Sequence, residues 1–189
     1  MGRPKETPVT RLDYCQYLLS SQINFTLTYF AEHAQTVTHD VINRYLKNEQ
    51  LRPRILWEHV KDKLVPSEHG YLVFDDSILD KNYSKNIDCV RWQYSGNAHR
   101  IIRGIGLVNC IYINPETNQY WSIDYRIFAP DSDGKSKMDH VQDMLEHTLK
   151  HKQILFKFVL MDTWYASNKM MLSISDAEKI FYCPVKKIG

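Results

Sequence analysis

In the segment "YLVFDDSILDK", Tyr71 to Lys81, four apolar residues run straight into two adjacent aspartates and a serine. A short apolar run bounded by polar residues reads as a buried strand. A second run, "ILFKFVLMD", also ends in an aspartate, Asp162. Charge at the rim of a core is costly unless something compensates it. Two carboxylates held close repel, and a shared cation relieves the repulsion. Magnesium suits the task, because it takes carboxylate oxygens, keeps several waters and bridges to phosphate. A pair of such ions supports in-line phosphoryl displacement. The competing reading makes Asp75 and Asp76 turn formers beside Ser77 and Asp162 the cap of the next helix. For an isolated aspartate that reading is the better one. The pair, on two apolar strands of one sheet, favours a metal.

Composition frames this outward. The chain has 189 residues, 43% hydrophobic and 24% charged, enough for one domain, or one domain with a small helical extension. A net charge of +2 excludes a histone-like polycation and leaves a local basic face open. Cys15, Cys89, Cys110 and Cys183 contain no close pair, which fits free thiols in a reducing compartment and argues against a disulfide framework or a zinc ribbon. The opening MGRPKETPVTR has no apolar signal core, and no window reaches membrane-spanning length.

Before Pro66 the apolar residues recur at helical spacing. Leu12, Cys15, Leu18 and Leu19 predict one helix, and Ile23, Leu27 and Phe30 a second. Thr38 caps a third, with Val41, Ile42, Tyr45 and Leu46 as its stripe, and Pro53 opens a fourth. Residues 8–65 thus read as a small helical bundle, giving a helical region 1–66 and a strand-rich region 67–189. In the latter, strands are expected at 71–78 and 106–113. "NPETNQ" is a turn, and "YWSIDYRIF" alternates, with Trp121, Ile123, Tyr125 and Ile127 inward and Ser122, Asp124 and Arg126 outward. Met138, Val141, Leu145, Thr148 and Leu149 make a helical stripe, followed by the strand ending at Asp162. A short helix at 167–174 and a last strand in "KIFYCPV" complete the order. Three strands followed by alternating helices and strands predict a mixed α/β sheet covered by helices.

"VFDDSILDK", "RWQYSG" and "FVLMDTWYAS", in this order, resemble the DDE transposases of bacterial insertion sequences, in the group whose first motif is Asp-Asp-Ser or Asp-Asp-Thr. The resemblance spans roughly residues 35 to 187. It implies an RNase H-like core in which two aspartates and a glutamate hold magnesium or manganese for DNA cleavage and strand transfer. Carried over, the catalytic and metal-binding aspartates are Asp76, with Asp75 as the alternative, and Asp162. The family's glutamate lies on a helix after the strand that "KIFYCPV" resembles, and the chain ends at Gly189. Glu178 precedes that strand and is a poor substitute; Asp124, Asp131 and Asp133 are expected in turns or at the surface. The resemblance thus implies a truncated core lacking its C-terminal helix, inactive alone, with metal expected only for a complete site. Open apolar sheet surface predicts self-association or pairing with a full-length transposase. The implied location is the bacterial cytoplasm, at the nucleoid.

A transposase must hold duplex DNA at transposon ends. Arg44, Lys47, Arg52 and Arg54 fall between apolar positions of the third and fourth helices, as a helix-turn-helix-like unit would place them. A solvated helical face is the competing reading. Lys81, Lys85, Arg91, Arg100 and Arg103, interleaved with Trp92 and Tyr94, follow the first aspartates and suit a nucleic-acid backbone. His147 and His151 have the spacing of a zinc pair without a third ligand, so a solvated helix face is preferred. No Gly-x-Ser-x-Gly surrounds a serine. An aspartyl phosphatase would want an aspartate where Ser77 stands. The rival function is non-catalytic DNA binding at transposon ends that modulates a full-length enzyme.

Overall fold

The computed structural model describes residues 8–21, 26–34, 37–83 and 87–184. The chain divides after Leu51 into two compact units. In the first, α1 (Arg11–Ser20), α2 (Leu27–His33) and α3 (His39–Asn48) each start at a threonine. Thr10, Thr26 and Thr38 accept a hydrogen bond from the backbone N–H three residues on, satisfying a donor the helix leaves orphaned. Val9, Tyr17, Phe30, Val41 and Ile42 form its core, with the Tyr17 and Phe30 rings stacked at 4.4 Å. Ile23, expected in α2, lies outside the described residues.

The second unit begins with α4 (Pro53–Val60), which packs on the sheet. Its stripe explains this: Leu56, Trp57 and Val60, with Leu64 just beyond, join the core under the strands. The sheet contains β1 (Tyr71–Asp80), β2 (Arg91–Ser95), β3 (Arg100–Asn114), β4 (Gln119–Phe128), β5 (Phe158–Met161) and β6 (Ile180–Tyr182). β1 is antiparallel to β3 and parallel to β5, and β5 is parallel to β6. β3 is long enough to hold two strands along one flank, β2 at Arg100–Gly104 and β4 from Gly106 onward. Gly104 pairs with Asp80 on one side and Arg91 on the other, and a Cβ there would lie 2.5 Å from the Leu79 carbonyl oxygen. The short α5 (Pro130–Asp133) precedes α6 (Lys137–His147), and α7 (Asn168–Asp176) connects β5 to β6. This is the mixed α/β sheet expected of an RNase H-like core, with β1 at its centre and β6 the last element among the described residues.

Two elements differ from expectation. β2 has the sequence of a basic, aromatic segment, because Arg-Trp-Gln-Tyr-Ser has no apolar inward row; its strand state comes from pairing with the extension of β3. β4 breaks alternation. Cys110 faces Asp124 while Ile111 faces Ser122, so Ile123 is the extra residue of a bulge. Ile123 and Asp124 both turn inward, at 0% and 2% exposure. Asp124 is therefore buried, not a surface residue. Its partners are Lys152 Nζ at 2.6 Å and the Arg126 guanidinium. A π-helical turn, Thr148–Lys152, swings Lys152 into the core and stops at Gln153, which has φ +50°. Asp131 and Asp133 do lie outside the core, Asp131 paired with Arg91 and Asp133 accepting from the Lys135 N–H.

Candidate active site

Parallel pairing of β1 with β5 ends at Phe74 and Met161, so Asp75 and Asp162 are the first residues beyond it on adjacent strands. Strand alternation sets the three carboxylates apart. Leu72 and Phe74 face the core, and Asp76 continues their row. Asp75 points the other way and is exposed, its Oδ1 accepting from the Asp76 N–H at 2.8 Å. Asp162 caps the 3-10 turn Thr163–Tyr165 by accepting from the Thr163 N–H. It thus fills the local capping role as well as its place beside β1.

Asp75, Asp76 and Asp162 line one cavity of about 580 Å³. Its other walls are Gln93–Asn97 at the end of β2, Phe128, Ser136 and Lys137 at the start of α6, and Trp164 and Tyr165 after β5. Both oxygens of Asp76 are engaged: Oδ1 accepts from the Tyr165 hydroxyl at 2.8 Å, and Oδ2 pairs with Lys137 Nζ. Burial first, then the hydrogen bond to Asp76, push the Tyr165 phenol well above its ordinary pKa; the charges of Asp76, Asp75 and Asp162 act in the same direction. Tyr165 therefore stays protonated and serves as a fixed donor. Lys137 Nζ also lies 5.5 Å from the centre of the Phe128 ring. Three carboxylates and one ammonium are the charged groups of the lining, an excess of two negative charges.

Hard carboxylate oxygens around a negative cavity fit magnesium or manganese, which complete their shells with water. Asp76 and Asp162 are the residues that would hold such an ion, with Asp75 as the alternative. Among the described residues no three His, Cys, Asp or Glu side chains form a ligand group, so the fit is to an ion bound by one or two carboxylates. Glu178 is exposed, sits at φ +57° between α7 and β6, and is not among the cavity-lining residues.

The basic residues fall into separate places. Arg44 and Lys47 are exposed on α3 in the first unit; Arg52 and Arg54 are exposed at the start of α4 in the second. Lys81 follows β1 and is half-buried, while Lys85 lies outside the described residues. Arg91 pairs with Asp131 and lies over the Phe128 ring at 5.4 Å. Arg103 stands opposite Trp92 on the β2–β3 ribbon, and Arg100 opposite Ser95. Trp92 and Tyr94 are 69% and 58% exposed, and Tyr94 reaches the cavity. The His147 and His151 rings lie 4.9 Å apart, tilted by 44°, and His147 approaches Asp124; neither belongs to a metal-ligand group among the described residues.

Sequence reasoning missed Lys137 and the role of Tyr165. A signal existed for the first: Ser136 with Asp139 is a capping box, which makes Lys137 the first residue of a helix, where the dipole disfavours a cation.

No family model matches the sequence, and no curated protein matches it. Among solved structures, the chain is similar to the piggyBac transposase in a synaptic complex with hairpin DNA. The TM-score is 0.53 at 10% identity, over 94% of this chain and 41% of that one, so this chain spans less than half of that protein. Mos1 transposase in a paired-end complex with the left transposon end is matched at a TM-score of 0.33 and 13% identity, over 96% and 61%. The fold resembles transposase catalytic domains of the RNase H-like kind. Among the described residues no helix is long and apolar enough to cross a membrane.

Proposed function

We propose that this chain is a DDE-type transposase of bacterial insertion sequences, or a fragment of one, whose core serves metal-dependent phosphodiester hydrolysis and strand transfer at DNA ends and lacks the third carboxylate that a longer transposase supplies. The observation that carries this reading is the excess negative charge of a cavity built where β1 and β5 part, on a transposase-like fold. Duplex DNA is a polyanion and approaches such a cavity only with cations. Magnesium or manganese, when bound, polarises the phosphoryl oxygens and acidifies water. Asp76 and Asp162 would hold the ion, and the Tyr165 hydroxyl orients Asp76 by donating to its Oδ1. Water attacks phosphorus and the bond to the 3′-oxygen breaks, leaving a 5′-phosphate and a 3′-hydroxyl; in strand transfer that 3′-hydroxyl attacks a second phosphodiester, whose own bond to its 3′-oxygen breaks and releases a new 3′-hydroxyl as the attacking oxygen gives up its proton. Trp92 and Tyr94 offer faces for bases at a distorted end. Arg44, Lys47, Arg52, Arg54, Lys81, Arg100 and Arg103 supply phosphate contacts. A second copy or a longer transposase is the protein partner, in the bacterial cytoplasm.

One observation favours the rival reading, DNA binding without chemistry: among the described residues the three aspartates do not form a three-ligand group. The experiment incubates the purified chain with supercoiled plasmid carrying candidate terminal repeats and Mg²⁺ or Mn²⁺. Nicking that disappears in Asp76→Asn and Asp162→Asn, with DNA affinity retained, supports catalysis. End-specific binding without nicking supports the rival. Loss of affinity together with cleavage in either variant contradicts the assignment of binding to the basic residues.

A further inference from the structure

We propose that Lys137 is the resident counter-cation of Asp76, which a divalent ion must displace, and that it thereby sets the metal affinity of the site. This rests on the metal reading given above. The geometry carries it. Asp76 has two oxygens and both are taken, Oδ1 by Tyr165 and Oδ2 by Lys137. Tyr165 is 2% exposed, locked between β5 and α7, and cannot leave without opening the core. Lys137 is different: its side chain is 24% exposed and lines the cavity. A lysine is a point charge on a flexible four-carbon stem. The helix it starts holds it loosely, because the capping box is made by Ser136 and Asp139 and the dipole repels a cation at that end. Oδ2 is therefore the oxygen that an entering ion takes, and Lys137 the group that yields. The ammonium, released beside the Phe128 ring, then faces the cavity as a donor for a phosphodiester. Metal and DNA thus enter cooperatively, because the ion frees the cation that the phosphate needs.

The test uses terbium(III), a hard-oxygen probe whose luminescence Tyr165 and Trp164 in the cavity wall can sensitise. Wild type, Lys137→Met, Lys137→Arg and Asp76→Asn are titrated, and Mn²⁺ is used to displace the probe. The expected result is that Lys137→Met binds terbium roughly three- to tenfold more tightly, the order of one partly exposed ion pair. Lys137→Arg stays near wild type, and Asp76→Asn binds markedly more weakly. Circular dichroism checks folding, and Lys137→Gln carries the test if Lys137→Met does not fold. Unchanged or weaker binding in the neutral variants, with Asp76→Asn still defective, overturns the counter-cation role and leaves the metal reading standing. Failure of wild type to bind overturns both.

Discussion

The second unit contains two acidic centres, and they solve the same problem in opposite ways. Asp124 is 2% exposed and sits among more positive charge than it carries, with Lys152 and Arg126 as partners and the Trp57 ring 5.7 Å from Lys152 Nζ. Arg126 takes one carboxylate oxygen and Lys152 the other, so Asp124 is satisfied from within the fold. Asp76 sits at the rim with one cation and one neutral donor, and Asp75 and Asp162 add charge that no side chain of the cavity lining balances. A buried carboxylate with fixed partners is architecture. A cluster in excess, facing open volume, is the arrangement on which the proposed metal site rests. The sheet makes both: a bulge turns Asp124 inward, and the end of β1–β5 pairing leaves Asp75, still paired to β3, beside Asp162.

The sharpest way to break this contrast is to remove one lysine from each centre. Lys152→Met strands Asp124 in the core and is expected to destabilise the fold by about 3–5 kcal/mol. Lys137→Met should lose no more than about 1 kcal/mol, because its pair is partly solvated. Urea denaturation of both variants decides, and equal losses would erase the distinction. Next in size is Tyr165→Phe. It removes one hydrogen bond to Asp76 and should lower stability by about 1 kcal/mol, while reducing cleavage more than DNA affinity. A smaller effect is expected from pH. His140 is buried beside this region at the start of α6, and burial, followed by Lys135 and Arg126, lowers its pKa against the opposing pull of Asp133 and Asp143. The folded state thus binds fewer protons than the unfolded state, so stability should fall as pH drops from about 6.5 to 5. His140→Gln should flatten that slope in thermal melts taken across the window.

Much of this was legible in the sequence, and the failures have physical causes. The Thr38 cap, Pro53 at the first turn of α4 and the apolar runs into Asp76 and Asp162 are local signals that placed the elements; β1 nevertheless continues past Asp76 to Asp80, because β3 goes on pairing with it. β2 was not legible because its strand state depends on a partner, the extension of β3, and not on its own pattern. The burial of Asp124 was not legible because one bulge residue inverts the strand alternation after it, and no residue type announces a bulge there. Grouping α4 with α1–α3 followed helical spacing alone; the stripe of Leu56, Trp57 and Val60 serves a sheet as well as a bundle. Lys137 meets Asp76 across 61 residues, a contact that sequence spacing cannot show.

The most direct test of the central claim is calorimetric titration of MnCl₂ into the wild-type chain and into the Asp76→Asn, Asp162→Asn double variant. Saturable binding by wild type that is lost in a folded double variant is the predicted result. Equal binding by both, or none by wild type, would contradict a metal site between β1 and β5.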